Sequence, residues 1–282
     1  MKVVIVYTLF FLLLIGCTAP TSNQSIDEQN KDDHEINEMP IPKGREQEVI
    51  NEPIKEELEE EKNQVDVEES IKQDFPNYRV NAKNWKIEPI ADGNPKVVLL
   101  TIDDAPHKHA LEMATILKKI DANAIFFVNG HFLKSDQGKE KLKAIHQLGF
   151  EIGNHTMNHS NLREISEEKQ KQEIIELNNL VEELTGERPR FFRAPYGVNT
   201  DYSNEVVQEE GMVLMNWTYG YDWEKDYQDV ETLADIMVNT PLLTEGANLL
   251  MHDRESTLFA LESIVKGLRE KGYEMLSPSD IE

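Results

Sequence analysis

The 282-residue chain carries 53 acidic against 29 basic side chains, a formal net charge of −24, and a single cysteine, Cys17. So acidic a balance argues against a nucleic-acid partner and for a neutral or cationic substrate, or simply for a soluble surface. One cysteine excludes an internal disulfide and a thiolate metal centre, so a transition metal here must rely on His and carboxylate ligands.

The first residues have the layout of a targeting segment. Lys2 precedes an apolar run, Val3 to Ile15, that is short for a bilayer span, and Gly16-Cys17 closes it. The run resembles a bacterial lipoprotein signal. That resemblance implies cleavage of residues 1–16, a lipid on Cys17, and export to the outer face of the cell membrane; an uncleaved anchor is the alternative. Residues 17–77 then read as an acidic tether: from Thr21 to Val80, 18 Asp and Glu face 7 Lys and Arg, with little apolar material to form a core. A flexible chain of that length spans roughly 45 Å r.m.s., which would let the remainder stand off the membrane.

Residues 78–282 are enough for one domain with a sizeable core. Trp85 to Glu88 alternates as a short strand, and Asp92-Gly93 signals a turn, so this stretch reads as a lead-in covering one end of the domain. Seven apolar runs follow: Val97–Ile102, Ala124–Val128, Phe150–Gly153, Arg190–Arg193, Met212–Trp217, Asn248–Met251 and Tyr273–Leu276. Stretches with helical spacing separate them. The clearest is capped by Ser166, carries Leu177, Val181 and Leu184 as one stripe, and stops at Gly186. Leu111, Ala114 and Leu117 mark a second, and Leu258, Leu261 and Val265 a third. Short buried strands alternating with helices predict an α/β fold with a parallel sheet, read here as a distorted (β/α)7 barrel, closed or nearly so.

Parallel α/β proteins build their sites where strands end. Those ends supply Asp103 and Asp104, Asn129 and His131, His155, Arg193 with Pro195 and Tyr196, Asp222 with Trp223, and His252 with Asp253. His155 and His159 lie four apart. With one of the two adjacent acids they make a prospective His, His, carboxylate metal site, leaving the other acid as a base. Each residue also has a plainer reading. Asp103 or Asp104 could cap a helix, Arg193 and Asp222 could be an ordinary ion pair, and Trp223 and Leu250 could be core. His107, His109 and His131 read as exposed loop residues.

Thr-Ile-Asp-Asp-Ala-Pro at 101–106, His-Thr-Met-Asn-His at 155–159, Arg-Ala-Pro-Tyr at 193–196, Asp222-Trp223 and Leu250-Met251-His252 occur in the order of five motifs. In these the chain is similar to the NodB-homology domain of the polysaccharide deacetylases, carbohydrate esterase family four, over about residues 97–276. The resemblance implies that Asp104, His155 and His159 bind one divalent metal, zinc by preference, with cobalt, nickel or iron also fitting. It further implies Asp103 as general base and Arg193 as its support. The backbone N–H of Tyr196 would serve as an oxyanion donor, and His252, oriented by Asp222, as general acid. Trp223 and Leu250 would line the acetyl pocket. The family usually has Gly where this chain has Ala105, which would matter if that position needed positive φ.

The resulting expectation is a monomeric, lipid-anchored, metal-dependent N-deacetylase of N-acetylated amino sugars in an extracellular polysaccharide, with peptidoglycan as the polymer within reach. A glycan-binding or wall-stabilising lipoprotein with weak or no turnover is the alternative from another class. A third is an amide hydrolase of the same fold acting on a small acylated amine.

Overall fold

The computed structural model describes residues 76–90 and 92–282. The readings for the signal, for Cys17 and for nearly all of the tether fall outside these residues. Among them, no helix is long and apolar enough to cross a membrane.

A short antiparallel pair, β1 (Tyr78–Val80) and β2 (Ile87–Pro89), leads in. The parallel sheet consists of β3 (Val97–Ala105), β4 (Ile125–Val128), β5 (Glu151–Asn154), β6 (Phe191–Phe192), β7 (Val213–Leu214), β8 (Ala247–His252) and β9 (Glu274–Met275). Helices α1 (Ala110–Lys119), α2 (Asp136–Gln147), α3 (Glu167–Thr185), α4 (Asp201–Glu209), α5 (Val230–Asn239) and α6 (Glu255–Glu270) alternate with these strands. The three helices named from sequence are α3, α1 and α6. The caps of α3 are as read, with Ser166 accepting from the Lys169 N–H and Gly186 at φ 83.

The strands run in the order β7-β6-β5-β4-β3-β8 in a curled row whose end strands do not pair directly; an isolated bridge between Tyr219 and Leu249 spans the gap. Residues 215–219 make the join: the Met215 N–H donates to the Phe192 carbonyl, while the Thr218 N–H reaches the Asn248 carbonyl and the Leu250 N–H the Tyr219 carbonyl. Gly220 permits the approach, because a Cβ there would sit 2.3 Å from the Leu250 carbonyl oxygen. The seventh strand, β9, takes no full place in the circle and pairs only with the entry of β3, at Val97 and Val98.

β3 shows how one strand serves both core and site. Val98, Leu100 and Ile102 point outward beneath the helices, in a cluster with residues such as Met113, Leu117, Leu258 and Leu261. Val97 and Leu99 point inward and pack with Ile125, Phe127, Phe191 and Leu276, closed off below by Tyr78 and Ile87 of the lead-in pair. Continuing the inward alternation past Leu99 gives Thr101 and Asp103, so the interior turns from apolar to polar along the strand. Burying Val97 and Leu99 contributes about 1.5–3 kcal/mol each, which anchors the strand end that carries the acids.

Both acids were expected just beyond the strand, but β3 continues through them to Ala105. Regular alternation would send Asp104 to the helix side. Instead the register against β4 slips between Ile102 and Ala105, and Asp104 adopts φ 61, a bulge that re-aims its carboxylate. Ala105 itself is not in the left-handed region and is fully buried, so its Cβ conflicts with nothing in the backbone.

Candidate active site

At the C-terminal rim of the curled sheet, Asp103, Asp104, His155 and His159 face Tyr196, Trp223, Leu250 and His252 across one cavity of about 380 Å³. Trp217 and Arg254, which sequence reasoning did not single out, complete its wall. Trp217 comes from the 215–219 join, whose apolar run gave no sign that it would face a cavity.

One ligand atom each from Asp104, His155 and His159 falls within 4.8 Å of the others. The Asp104 Oδ1 lies 3.4 Å from His159 Nε2 and 3.9 Å from His155 Nε2. His155 Nδ1 is 2.7 Å from the Arg193 carbonyl oxygen. A carbonyl only accepts, so Nδ1 carries the proton and Nε2 is left with a free lone pair aimed at the other ligands. Burial lowers the His155 pKa, against the pull of Asp103 and Asp104, which keeps the imidazole neutral as ligation requires. These residues fit a divalent metal in donor type, tautomer and spacing.

The loop bearing the two histidines is pinned from α3 by the buried Glu173. Its carboxylate accepts from the Asn158 N–H at 2.7 Å and from Asn158 Nδ2 at 2.8 Å, and its carbonyl accepts from the Met157 N–H. Asn129, buried beneath, donates to the His155 carbonyl at 2.5 Å. Four of the six non-glycine residues with positive φ among those described, Asp104, Thr156, His159 and Tyr196, fall in this rim. Each such conformation costs of order 1 kcal/mol or more and persists only where the surroundings fix it.

Asp103 is held from behind. Arg193, fully buried, donates from Nη1 to Asp103 Oδ1 at 2.7 Å and to Thr101 Oγ1 at 2.8 Å, and from Nη2 to the Asn216 carbonyl at 2.8 Å. Its guanidinium lies over the Phe127 ring at 4.3 Å. The other oxygen of Asp103 is 3.5 Å from His155 Nε2 and stays on the cavity side. Across the cavity, His252 Nδ1 bonds Asp222 Oδ1 at 2.7 Å, and Asp222 Oδ2 accepts from the His252 N–H at 2.6 Å and the Thr257 hydroxyl at 2.7 Å. Arg193 and Asp222 therefore do not pair with each other, which removes the ion-pair reading. Burial alone would lower the His252 pKa, but the bond to Asp222 and its charge outweigh burial and raise it.

Three sequence readings need correction. Asp253, counted among the rim acids, takes the N–H groups of Lys108, His109 and Ala110 and so caps α1 from outside that helix. His131, read as exposed, is half-buried, packs on Phe132 at 4.0 Å between centroids, and has a buried Nδ1 with no partner among the described residues. His107 is exposed, as read, and stacks on the same ring, whereas His109, also read as exposed, is half-buried at the N-cap position of α1.

The profile of the polysaccharide deacetylase family matches residues 91–215. A peptidoglycan-N-acetylglucosamine deacetylase of Bacillus cereus is 32% identical over 189 residues, covering 64% of this chain and 68% of that protein. This chain belongs to the polysaccharide deacetylase family.

Further matches span differing shares of the proteins concerned. The Bacillus subtilis protein YlxY is 29% identical over 203 residues, and the match spans 61% of its length. Among solved structures, the peptidoglycan deacetylase PdaC of Bacillus subtilis is 30% identical with a TM-score of 0.58, over 66% of this chain and 91% of that one. A CE4 family pseudoenzyme from Bacillus anthracis is 29% identical with a TM-score of 0.60, over 67% of this chain and 66% of that one. The deacetylase fold of this family is thus the curled parallel sheet described above, and some chains that have it are pseudoenzymes.

Proposed function

We propose that this deacetylase-family chain is a metal-dependent hydrolase that removes acetyl groups from N-acetylated amino sugars of peptidoglycan. The observation that carries the reading is the convergence of Asp104, His155 and His159 on one point, with Asp103 beside it and His252 opposite. Asp104, His155 and His159 would hold the cation, zinc by preference given nitrogen and carboxylate donors. When bound, the metal supplies Lewis-acid polarisation of the amide carbonyl and acidifies water.

The chain's own groups do the rest. Asp103, with one oxygen fixed by Arg193, uses the other to take the proton from the attacking water. Tyr196 brings its backbone N–H to the rim in a left-handed conformation, and that N–H donates to the carbonyl oxygen as it gains negative charge. His252, whose pKa the bond to Asp222 raises, gives its proton to the amine nitrogen as the carbon–nitrogen bond breaks. Trp223 and Leu250 enclose the acetyl methyl and exclude water.

The same proposal extends to the whole chain: residues 1–16 as a lipoprotein signal, Cys17 as the lipidated residue, 17–77 as a tether and 78–282 as the catalytic domain, on the outer face of the membrane. Incorporation of labelled palmitate, lost in Cys17→Ser, tests this part. For the activity, the full chain loaded with zinc is assayed for acetate release across peptidoglycan, chitin and xylan fragments. Release from peptidoglycan fragments that stops on chelation and in Asp104→Ala is the expected result, and bound metal without release would overturn the reading. The second reading, a glycan-binding lipoprotein without turnover, draws on the likeness to the pseudoenzyme. Glycan retention unchanged by Asp103→Asn, with no acetate from wild type, would decide for it.

A further inference from the structure

We infer that a second sugar subsite adjoins the catalytic cavity, in which Arg254 binds a carboxylate carried by the neighbouring sugar and Phe259 supplies an apolar floor. The inference rests on the deacetylase reading and names the kind of glycan that the same site prefers.

A second cavity, of about 400 Å³, is lined by Gln228, Val230, Arg254, Glu255, Ser256 and Phe259. Arg254 lines both cavities, so the two share a wall. That wall is tied to the reaction centre: the Arg254 N–H donates to the His252 carbonyl at 2.8 Å, and Gln228 Nε2 donates to the carbonyls of Asp222 at 3.3 Å and Glu224 at 2.9 Å. A group seated there would lie next to whatever His252 protonates. A polymer threaded through the catalytic cavity has to leave it on some side, and this side is already hollow.

Its chemistry is specific. Only three large hydrophobic side chains among the described residues are strongly exposed, and two are aromatic: Tyr196 in the catalytic cavity, at 65%, and Phe259 in the adjoining one, at 62%. An exposed flat ring beside a cavity suits the C–H face of a pyranose better than it suits water. Arg254 makes no ion pair among the described residues, although acids abound in this chain. An unpaired guanidinium between two cavities is built to take a carboxylate through two parallel N–H bonds. A neutral homopolymer of N-acetylglucosamine has no group for it. A glycan in which alternate sugars bear a free ether-linked carboxylic acid, as peptidoglycan strands stripped of their stem peptides do, presents one on the unit next to the one being cut.

The test compares two tetrasaccharides: one alternating N-acetylglucosamine and N-acetylmuramic acid, the other chitotetraose. Acetate release by the zinc-loaded full chain is measured for wild type, Arg254→Ala, Arg254→Lys and Phe259→Ala, each checked for an unchanged melting curve. Wild type should favour the carboxylate-bearing tetrasaccharide in kcat/KM. Arg254→Ala should cut that preference about tenfold through KM, the loss of one charge-assisted contact, with partial recovery in Arg254→Lys. Phe259→Ala should raise KM for both sugars. No preference in wild type, or an undiminished one in Arg254→Ala, overturns the inference. If neither sugar releases acetate the deacetylase reading fails by itself, and calorimetric titration with the same two tetrasaccharides then judges the subsite. Tighter binding of the acidic one, lost in Arg254→Ala, supports it, and equal binding overturns it.

Discussion

His252 and Asp222 are joined twice, side chain to side chain at 2.7 Å and backbone N–H to carboxylate at 2.6 Å. The double attachment fixes both the position and the proton of the imidazole. Because the folded pKa of His252 is raised, its protonated form persists above the ordinary value of roughly 6.5. The alkaline limb of kcat should therefore lie above that value in wild type and move down in Asp222→Asn. His252→Ala should lose about 10²-fold or more in kcat, with KM little changed. The linked stability has the same sign: it is fully present below the unfolded pKa and is lost as pH rises through the folded one. Urea midpoints measured from below pH 6 upward should decline in wild type and stay flatter in His252→Ala.

Metal should stabilise the fold only when all three ligands are present. At a hundredfold excess of zinc over Kd the gain is about 2.7 kcal/mol, visible as a raised Tm. Asp104→Ala and His159→Ala should abolish most of that rise, as read by thermal shift with and without chelator. A zinc-dependent rise of equal size in Asp104→Ala would contradict the ligand assignment.

Arg193 is buried against Asp103, and removing one partner of such a pair leaves the other charge unpaired, at a cost of about 3–5 kcal/mol. Arg193→Met should therefore lower the urea midpoint sharply. Arg193→Lys should recover stability only in part, because an ammonium cannot reach Thr101, Asp103 and the Asn216 carbonyl together. A midpoint unchanged in Arg193→Met would mean that the pair contributes nothing net.

Ala105 departs from the family's usual glycine, yet the left-handed residue is its neighbour Asp104. Ala105→Gly should thus relieve no backbone strain and should destabilise by about 0.5–1 kcal/mol through added chain freedom. Equilibrium unfolding and kcat measured on the same preparation check this. A large gain in kcat would show that the methyl displaces the base.

The alternation of apolar runs and helical stripes carries the fold class in the sequence, because burial on both faces of a parallel sheet leaves continuous hydrophobic strands. The way the ring closes is not legible there. It depends on the Thr218 N–H and the Tyr219 carbonyl meeting β8 beside Gly220, and a single glycine after an apolar run does not announce such a contact. The ligand residues could be read from their motifs and Asn129 from its place at a strand end, whereas Glu173 could not, since a buried acid on α3 looks in sequence like one more polar helix position. Asp253 misleads for the complementary reason: a strand-end acid is equally suited to a reaction centre and to the bare N–H groups of a nearby helix.

The irregular join at residues 215–219 divides the ring into unlike arcs. Along β3, β4 and β5 consecutive ladder bonds resist opening, whereas the join hangs on a few isolated ones. Amide protons at Thr218 and Leu250 should exchange faster than those of Phe126 and Ile152, because this stretch breathes first. Opening there would shift Trp217 in the cavity wall, while Glu173 holds the loop of His155 and His159 from the opposite arc, so the two sides of the site are expected to differ in their freedom.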